Sequence, residues 1–317
     1  MRTAIPLTVF ATTLACSLAT APANARARVF VASYGNDANP CTFLSPCRNF
    51  QQAVNVVDPG GEVTAIDSAG FGPISISRSV TITSPDGVEA GIVPVSGGNA
   101  IAISAGSTDA VELHGLTVDG SGVGKNGIEF TSGASLTVVN CVVRNMASTG
   151  LDFVSGATTT QTLAVSNSYF TQNSIGIAIT LSNTGGITAA IDRTGLNGNE
   201  DGLKVTAAIS SAGNIKVGMT DSVAANNTFA GVALNNTGAT GFSNVSLTHS
   251  LVEGNAVGLL AEGNTDGAIW LAQSTLTGNA TSFELSTNAA INTFSDNYFA
   301  GNGLPSPGST LTPKGRQ

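Results

Sequence analysis

Glu129 and Asp152 each follow a Gly-aliphatic pair, Gly127-Ile128 and Gly150-Leu151, and Lys204 follows another, Gly202-Leu203. Carboxylates in equivalent positions of neighbouring units could share a proton or bind Ca²⁺, and an amine close by could act as a base. Arg193, Asp221 and His249 occupy a second set of equivalent positions. An Asp beside a His suggests acid-base work, although no Ser or Cys nucleophile accompanies them. Trp270, the sole tryptophan, stands between Ile269 and Leu271. If those two face inward, the indole faces out, where it could stack on a sugar ring. Each group also has a plainer reading: a solvated face, a corner that satisfies its own charges, and a ring that covers a loop. His114, the only other histidine, has no partner in sequence register, so no metal site is expected from the two.

These equivalences come from a repeat. Asn167 to Ile177 reads polar, small, any, apolar, two spacers, Asn, two spacers, Gly, aliphatic, and the pattern returns at Arg193 to Leu203, at His249 to Leu259 and, without its last Gly, at Gln273 to Phe283. One-residue variants run from Asn140 to Leu151 and from Asp221 to Val232. The aligned column is Asn145, Asn173, Asn199, Asn227, Asn255, Asn279 and Asn302, with steps of 23 to 28 residues. A period of this length predicts a stacked array whose units bury their apolar faces only against one another. The Asn column is expected to stack its amides from rung to rung. Gly127, Gly150, Gly176, Gly202, Gly231 and Gly258 precede the inward aliphatics and are expected to supply positive φ at a sharp turn. The strand after each Gly then presents the outward column Ala102, Glu129, Asp152, Ala178, Lys204, Ala233, Leu260, Glu284. Glu129 and Asp152 would be one rung apart, and Lys204 two rungs past Asp152, roughly 10 Å away. The corner column is Asn140, Asn167, Arg193, Asp221, His249, Gln273, Asp296.

Composition narrows the class. Of 317 residues 42% are hydrophobic but only 5% aromatic and 10% charged, which suits a long, narrow aliphatic core. The net charge of −8 argues against nucleic acid or anionic membrane as a partner. Residues 1–25 read as a secretory signal: Arg2, an apolar run from Ala4 to Ala19, and Ala23-Asn24-Ala25 before the cut. The run is too short to span a bilayer, so no membrane insertion is expected after cleavage. Cleavage before Cys16 as a lipoprotein fits less well, because Thr13-Leu14-Ala15 suit that motif poorly. In an exported chain the short loop between Cys41 and Cys47 points to a disulfide. Cys141 shares a column with Ser168, Thr194, Ser222, Ser250 and Ser274 and reads as a buried small residue.

Residues 26–61 form a separate beginning: a strand from Arg28 to Ala32, a turn, and an amphipathic helix over 49–57 with Phe50, Ala53, Val54 and Val57 on one face. Such a helix suits the open end of a solenoid. Val29-Phe30-Val31-Ala32-Ser33-Tyr34-Gly35-Asn36-Asp37, Pro46-Cys47-Arg48-Asn49-Phe50-Gln51-Gln52-Ala53-Val54 and Pro59-Gly60-Gly61-Glu62-Val63 together resemble the N-terminal cap of secreted right-handed parallel β-helix proteins of the pectin-lyase-like superfamily. That superfamily includes polysaccharide lyases and glycoside hydrolases. The resemblance implies an all-β solenoid, here of about ten coils over 62–302, with regular coils beginning near Val111, Leu136, Leu163, Ala189, Val217, Leu247 and Leu271. The stretch from Val80 to Val111 is long for one coil and is expected to loop. Residues 303–317 read as a disordered tail, with capping of the last coil as the alternative.

The resemblance says far more about fold than activity. Related lyases surround anionic sugars with basic residues, whereas this chain has 12 Lys and Arg in all. It shows neither the clustered Asp pattern of polygalacturonases nor a dense Asp calcium cluster, so no cofactor is implied. The leading expectation is a non-catalytic extracellular or surface scaffold that contacts polysaccharide along an outer face. A polysaccharide lyase or glycoside hydrolase is the alternative. An adhesin fragment or phage-tail-like module ranks third, for want of an anchoring domain or trimerising segment.

Overall fold

In the computed structural model, which describes residues 27–208 and 211–315, the chain winds into a right-handed parallel β-solenoid. The expected signal segment lies outside the described residues. Three parallel sheets of twelve, ten and nine strands run the length of the rod. The nine-stranded sheet limits the complete coils to nine, and strands Ala290–Thr293 and Tyr298–Ala300 begin a tenth. One coil is typical. Gln161–Ser166 lies in the first sheet, Tyr169–Thr171 in the second and Ile175–Leu181 in the third, and Ile187–Asp192 then pairs with Gln161–Ser166 one rung further on. Alternation sends Leu163, Val165, Phe170, Ile177, Ile179 and Leu181 into the interior, where all are buried. The long span from Val80 to Val111 is a single looped coil, since these two residues are register partners. The first-sheet column places Val245 and Ile269 beside Val217, so Leu247 and Leu271 are two residues further along their strands than expected.

Two tight corners make the repeat possible, and their chemistry differs from the expected one. At the corner from first to second sheet, Asn140, Asn167, Arg193, Asp221, His249 and Gln273 all hold left-handed backbone, with φ between 44° and 54°. In the last coil Ser295 takes this role, not Asp296. The next column seals the corner. Ser222 Oγ accepts the N–H of Thr194 and donates to the carbonyl of Thr220, and Ser250 and Ser274 repeat the arrangement. Cys141 begins this column, buried, with burial pushing its thiol up to about 11.

At the corner from second to third sheet runs the amide ladder. Asn227 Oδ1 accepts both the N–H and the Nδ2 of Asn199, at 2.9 and 3.3 Å, while its own Nδ2 donates to Leu196 O and to Asn255 Oδ1. The ladder continues through Asn173, Asn255, Asn279 and Asn302. Its first position is Met146 and not Asn145. The Met146 N–H donates to Asn173 Oδ1, whereas Asn145 is the left-handed residue before it and donates its amide to Asp119. The six column glycines do not have positive φ. They are small because the chain passes too closely: a Cβ on Gly176 would lie 2.6 Å from Gly202 O. The left-handed φ is carried one residue before the ladder, by Gln172, Gly198, Asn226 and Gly254.

Both ends are covered. Phe50–Val56 forms the helix, with Phe50, Ala53 and Val54 buried and the Phe50 ring 4.9 Å from that of Phe71. The Asp37 carboxylate accepts the N–H groups of Arg48 and Asn49, tying the preceding loop to the helix start. Cys41 and Cys47 are disulfide-bonded, with Cα atoms 4.6 Å apart. At the far end the chain through residue 315 lies against the last coil. The Ser306 N–H donates to Phe283 O, Ser309 Oγ accepts from Leu285 N–H, and Thr312–Pro313 pairs with Ala290–Thr293. The open edge of the last coil offers unpaired donors and acceptors, and the tail takes several of them.

Replacing Asn227 by Ala removes the acceptor of a buried N–H and leaves the Leu196 carbonyl without its amide partner. Loss of about 3 kcal/mol of stability is expected, read as a lower urea midpoint. Asn145→Ala, outside the ladder, should cost far less in the same titration.

Candidate functional site

The outward column of the third sheet is built as expected. Ala102, Glu129, Asp152, Ala178, Lys204, Ala233, Leu260 and Glu284 are successive register partners. Glu129 and Asp152 are therefore neighbours, and Asn126 Nδ2 bridges them, 3.1 Å from Glu129 Oε1 and 3.4 Å from Asp152 Oδ2. Glu129 also accepts from Asn99 Nδ2 at 2.6 Å and pairs with Lys125 Nζ at 3.5 Å. Burial pushes the Asp152 carboxyl above the usual range; the Glu129 charge adds to this and Lys125 opposes it. Lys204 does not join them. Two rungs away, it turns to Asp201 Oδ2 at 3.1 Å, a carboxylate whose side chain is only 3% exposed. The amine that attends the carboxylate pair is thus Lys125. The i,i+4 spacing of Lys125 and Glu129 was the available signal for it, but the residue lies in a loop and not in the repeat.

Arg193, Asp221 and His249 do stack along one corner. His249 Nδ1 lies 3.9 Å from Asp221 Oδ1, and both side chains are half exposed. Arg193 turns the other way, donating to Asn167 Oδ1 and pairing with Asp192. Among the described residues no further charged side chain pairs with Asp221 or His249, and both share the left-handed backbone of the corner. His114 lies 3.5 Å from Glu112 Oε2, a same-face neighbour two residues back. Among the described residues no group of three or more His, Cys, Asp and Glu is placed to hold a metal ion.

Trp270 does face out. Its ring is half-buried, 6.0 Å from that of Phe294 and tilted by 30°. Its register partners toward the N-terminus are Ser246, Gly218, Ala190 and Ala164, an outward row of small residues along the first sheet. Beside this row Thr188, Lys216 and Asn244 are partners on consecutive rungs. Two adjoining hollows of about 270 and 320 Å³ share Thr188 and Lys216. The first reaches Thr160, Thr184 and Asn214 in the loops between third and first sheets, and the second extends over Gly218 to Ser246. Together they make a shallow trough, polar along one edge, with Lys216 its one charged side chain and Trp270 one rung beyond its end. Sequence reasoning found Trp270 but missed the trough, since small outward residues carry no signal until their neighbours stack.

This architecture defines a class. Residues 99–279 match the family described as the right handed beta helix region, and the chain belongs to that family. No curated protein matches the sequence. Among solved structures, the pectate lyase Pel9A superposes with a TM-score of 0.64 at 15% identity, over 89% of this chain and 78% of that one. The ORF18 protein of Geobacillus virus E2 gives 0.56 at 13% identity, over 81% of this chain and 56% of its own. At such identities the likeness is one of fold: a right-handed parallel β-helix of the pectin-lyase-like kind.

Asp152 allows a test with a definite sign. Its folded-state pKa lies above the ordinary carboxylate value, so the fold favours its protonated form and carries a penalty when it ionises. That penalty is present above the raised folded-state pKa, fades as pH falls through it, and is gone below the ordinary carboxylate pKa near 4. Asp152→Asn should therefore raise the urea midpoint at pH 7, with the gain shrinking toward pH 3.5. An equal gain at both pH values would show that ionisation is not its source.

Proposed function

We propose that this protein is an extracellular β-helix rod that binds polysaccharide along the outer face of its first sheet without cleaving it. The single observation behind this reading is the trough from Thr160 to Ser246, leading to the outward Trp270. Small side chains let an extended polymer lie close to the sheet, hydroxyls and amides on one edge match sugar hydroxyls, and an indole offers a stacking surface. Lys216 is the trough's one charged group, which suits holding a chain better than activating a bond in it. Export is supported by the signal-like residues 1–25 and by the Cys41–Cys47 disulfide. No helix among the described residues is long and apolar enough to cross a membrane.

The test is affinity gel retardation with polygalacturonate, alginate and a neutral galactan, alongside Trp270 emission. At least one polymer should retard the protein and quench the emission. Trp270→Ala should weaken retardation roughly two- to tenfold, the size of a lost aromatic contact. Unchanged mobility and emission with all three polymers would remove the reading.

A second reading, hydrolysis or elimination on a polysaccharide, is favoured by one feature. Asp152, with its raised carboxyl, stands one rung from Glu129, an acid beside a carboxylate. On this reading unsaturated product or reducing ends accumulate with one of the polymers, and Glu129→Gln and Asp152→Asn each lower turnover at least a hundredfold. Turnover that survives both substitutions would place the chemistry elsewhere.

A further inference from the structure

The outward column of the third sheet changes character along the rod. After Glu129, Asp152 and Lys204 come Ala233 and Leu260, each only 6% exposed although alternation directs them away from the core. With Ala230 and Val257 they form an apolar cluster separate from the main one. Over it lies a cavity of about 110 Å³, more enclosed than the first-sheet trough. Phe229, 44% exposed, stands at its edge.

The polar groups of the cavity come in two pairs. Lys204 is held by the buried Asp201, whose other oxygen accepts the N–H of Ala230 at 3.3 Å. Two residues further along the strands, Asn235 Nδ2 donates to Glu262 Oε2 at 3.2 Å, and these two are register partners. Lys204 therefore stands about 8 Å from Asn235 and about 12 Å from Glu262, diagonally across the Ala233–Leu260 floor.

We propose that this cavity binds one neutral sugar residue. Its volume is about a third of the lower limit for drug-sized sites, which suits a single ring and not a chain. A pyranose has an apolar face of C–H groups and an edge of hydroxyls. The floor and Phe229 match the face, and Lys204, Asn235 and Glu262 supply donors and acceptors for the edge. Two carboxylates against one ammonium leave the lining net negative, which disfavours a uronate. The cavity opens on a different sheet from the trough, so neither proposal depends on the other.

Saturation-transfer NMR with glucose, galactose and mannose, and with galacturonate as the charged comparison, tests the assignment on the whole protein. At least one neutral hexose should show transfer with millimolar affinity, weakened fivefold or more in both Phe229→Ala and Glu262→Gln. Thermal melts confirm that the variants fold, and Glu262→Gln alone decides the matter if Phe229→Ala does not. Absence of transfer from all three hexoses, transfer that persists in the folded variants, or stronger transfer from galacturonate overturns the proposal. Neither Phe229 nor Glu262 lines the trough, so polymer retardation in these two variants keeps this outcome distinct from failure of the trough.

Discussion

Every coil must return its chain to the same place one strand spacing along the axis, and the structure depends on how that return is made. Parallel strands pair their backbones only if successive coils stay in register. Two corners enforce this. At one, a left-handed residue is followed by a Ser, Thr or Cys, and Ser168, Ser222, Ser250 and Ser274 tie their turns to the preceding coil through the side-chain oxygen, as Cys141 does through its sulfur. At the other, an asparagine satisfies an N–H of the adjacent coil and hands its own amide to a carbonyl. Those groups are buried, so leaving them unpaired would cost more than the hydrogen bonds themselves contribute. The glycines beside the ladder then follow from crowding between coils, not from backbone handedness.

Fixed corners free the rest of the surface. Among the described residues the third corner, between third and first sheets, has no continuous ladder of this kind beyond the Asn236–Asn264 amide pair, and its loops vary in length and composition. Thr184 and Asn214 of the trough come from there. Where the sequence of a coil departs from the repeat, the departure is unconstrained by winding and open to function. Glu129 and Asp152, Trp270, and the outward Leu260 are such departures. The ends are the other place where the repeat fails, and there a helix, a disulfide and a crossing tail shield what stacking leaves exposed.

The electrostatics favour local sites over a broad field. Charges are few, and among the described residues five Lys and Arg are already paired: Arg28 with Glu62, Lys125 with Glu129, Arg144 with Asp119, Arg193 with Asp192, and Lys204 with Asp201. Lys204 and Asp152 share an outward column but answer to different partners, because a side chain pairs with the carboxylate within its reach and not with one two rungs away. A binding rod with shallow, mostly neutral contacts accords with this better than a cluster of converging charge.

What the sequence determined by itself was the winding. Period, alternation and the Asn and Gly columns are local patterns repeated many times, so the coil, its outward column and its N-terminal cap were legible before any coordinates. A one-residue insertion was enough to blur the corner at Asn145 and Met146, and the reason for the glycines was hidden because it lies in the adjacent coil. Tertiary structure alone decided which polar groups meet. Asn99, Lys125 and Asn126 reach Glu129 from loops outside the repeat, Asp201 captures Lys204, and Phe229 and Leu260 come to line one cavity. Asn99 reaches Glu129 across coils, whereas Lys125, Asn126 and Asp201 lie three or four residues from the groups they meet, so the fold of loop and strand decides these contacts. The repeat period records none of them.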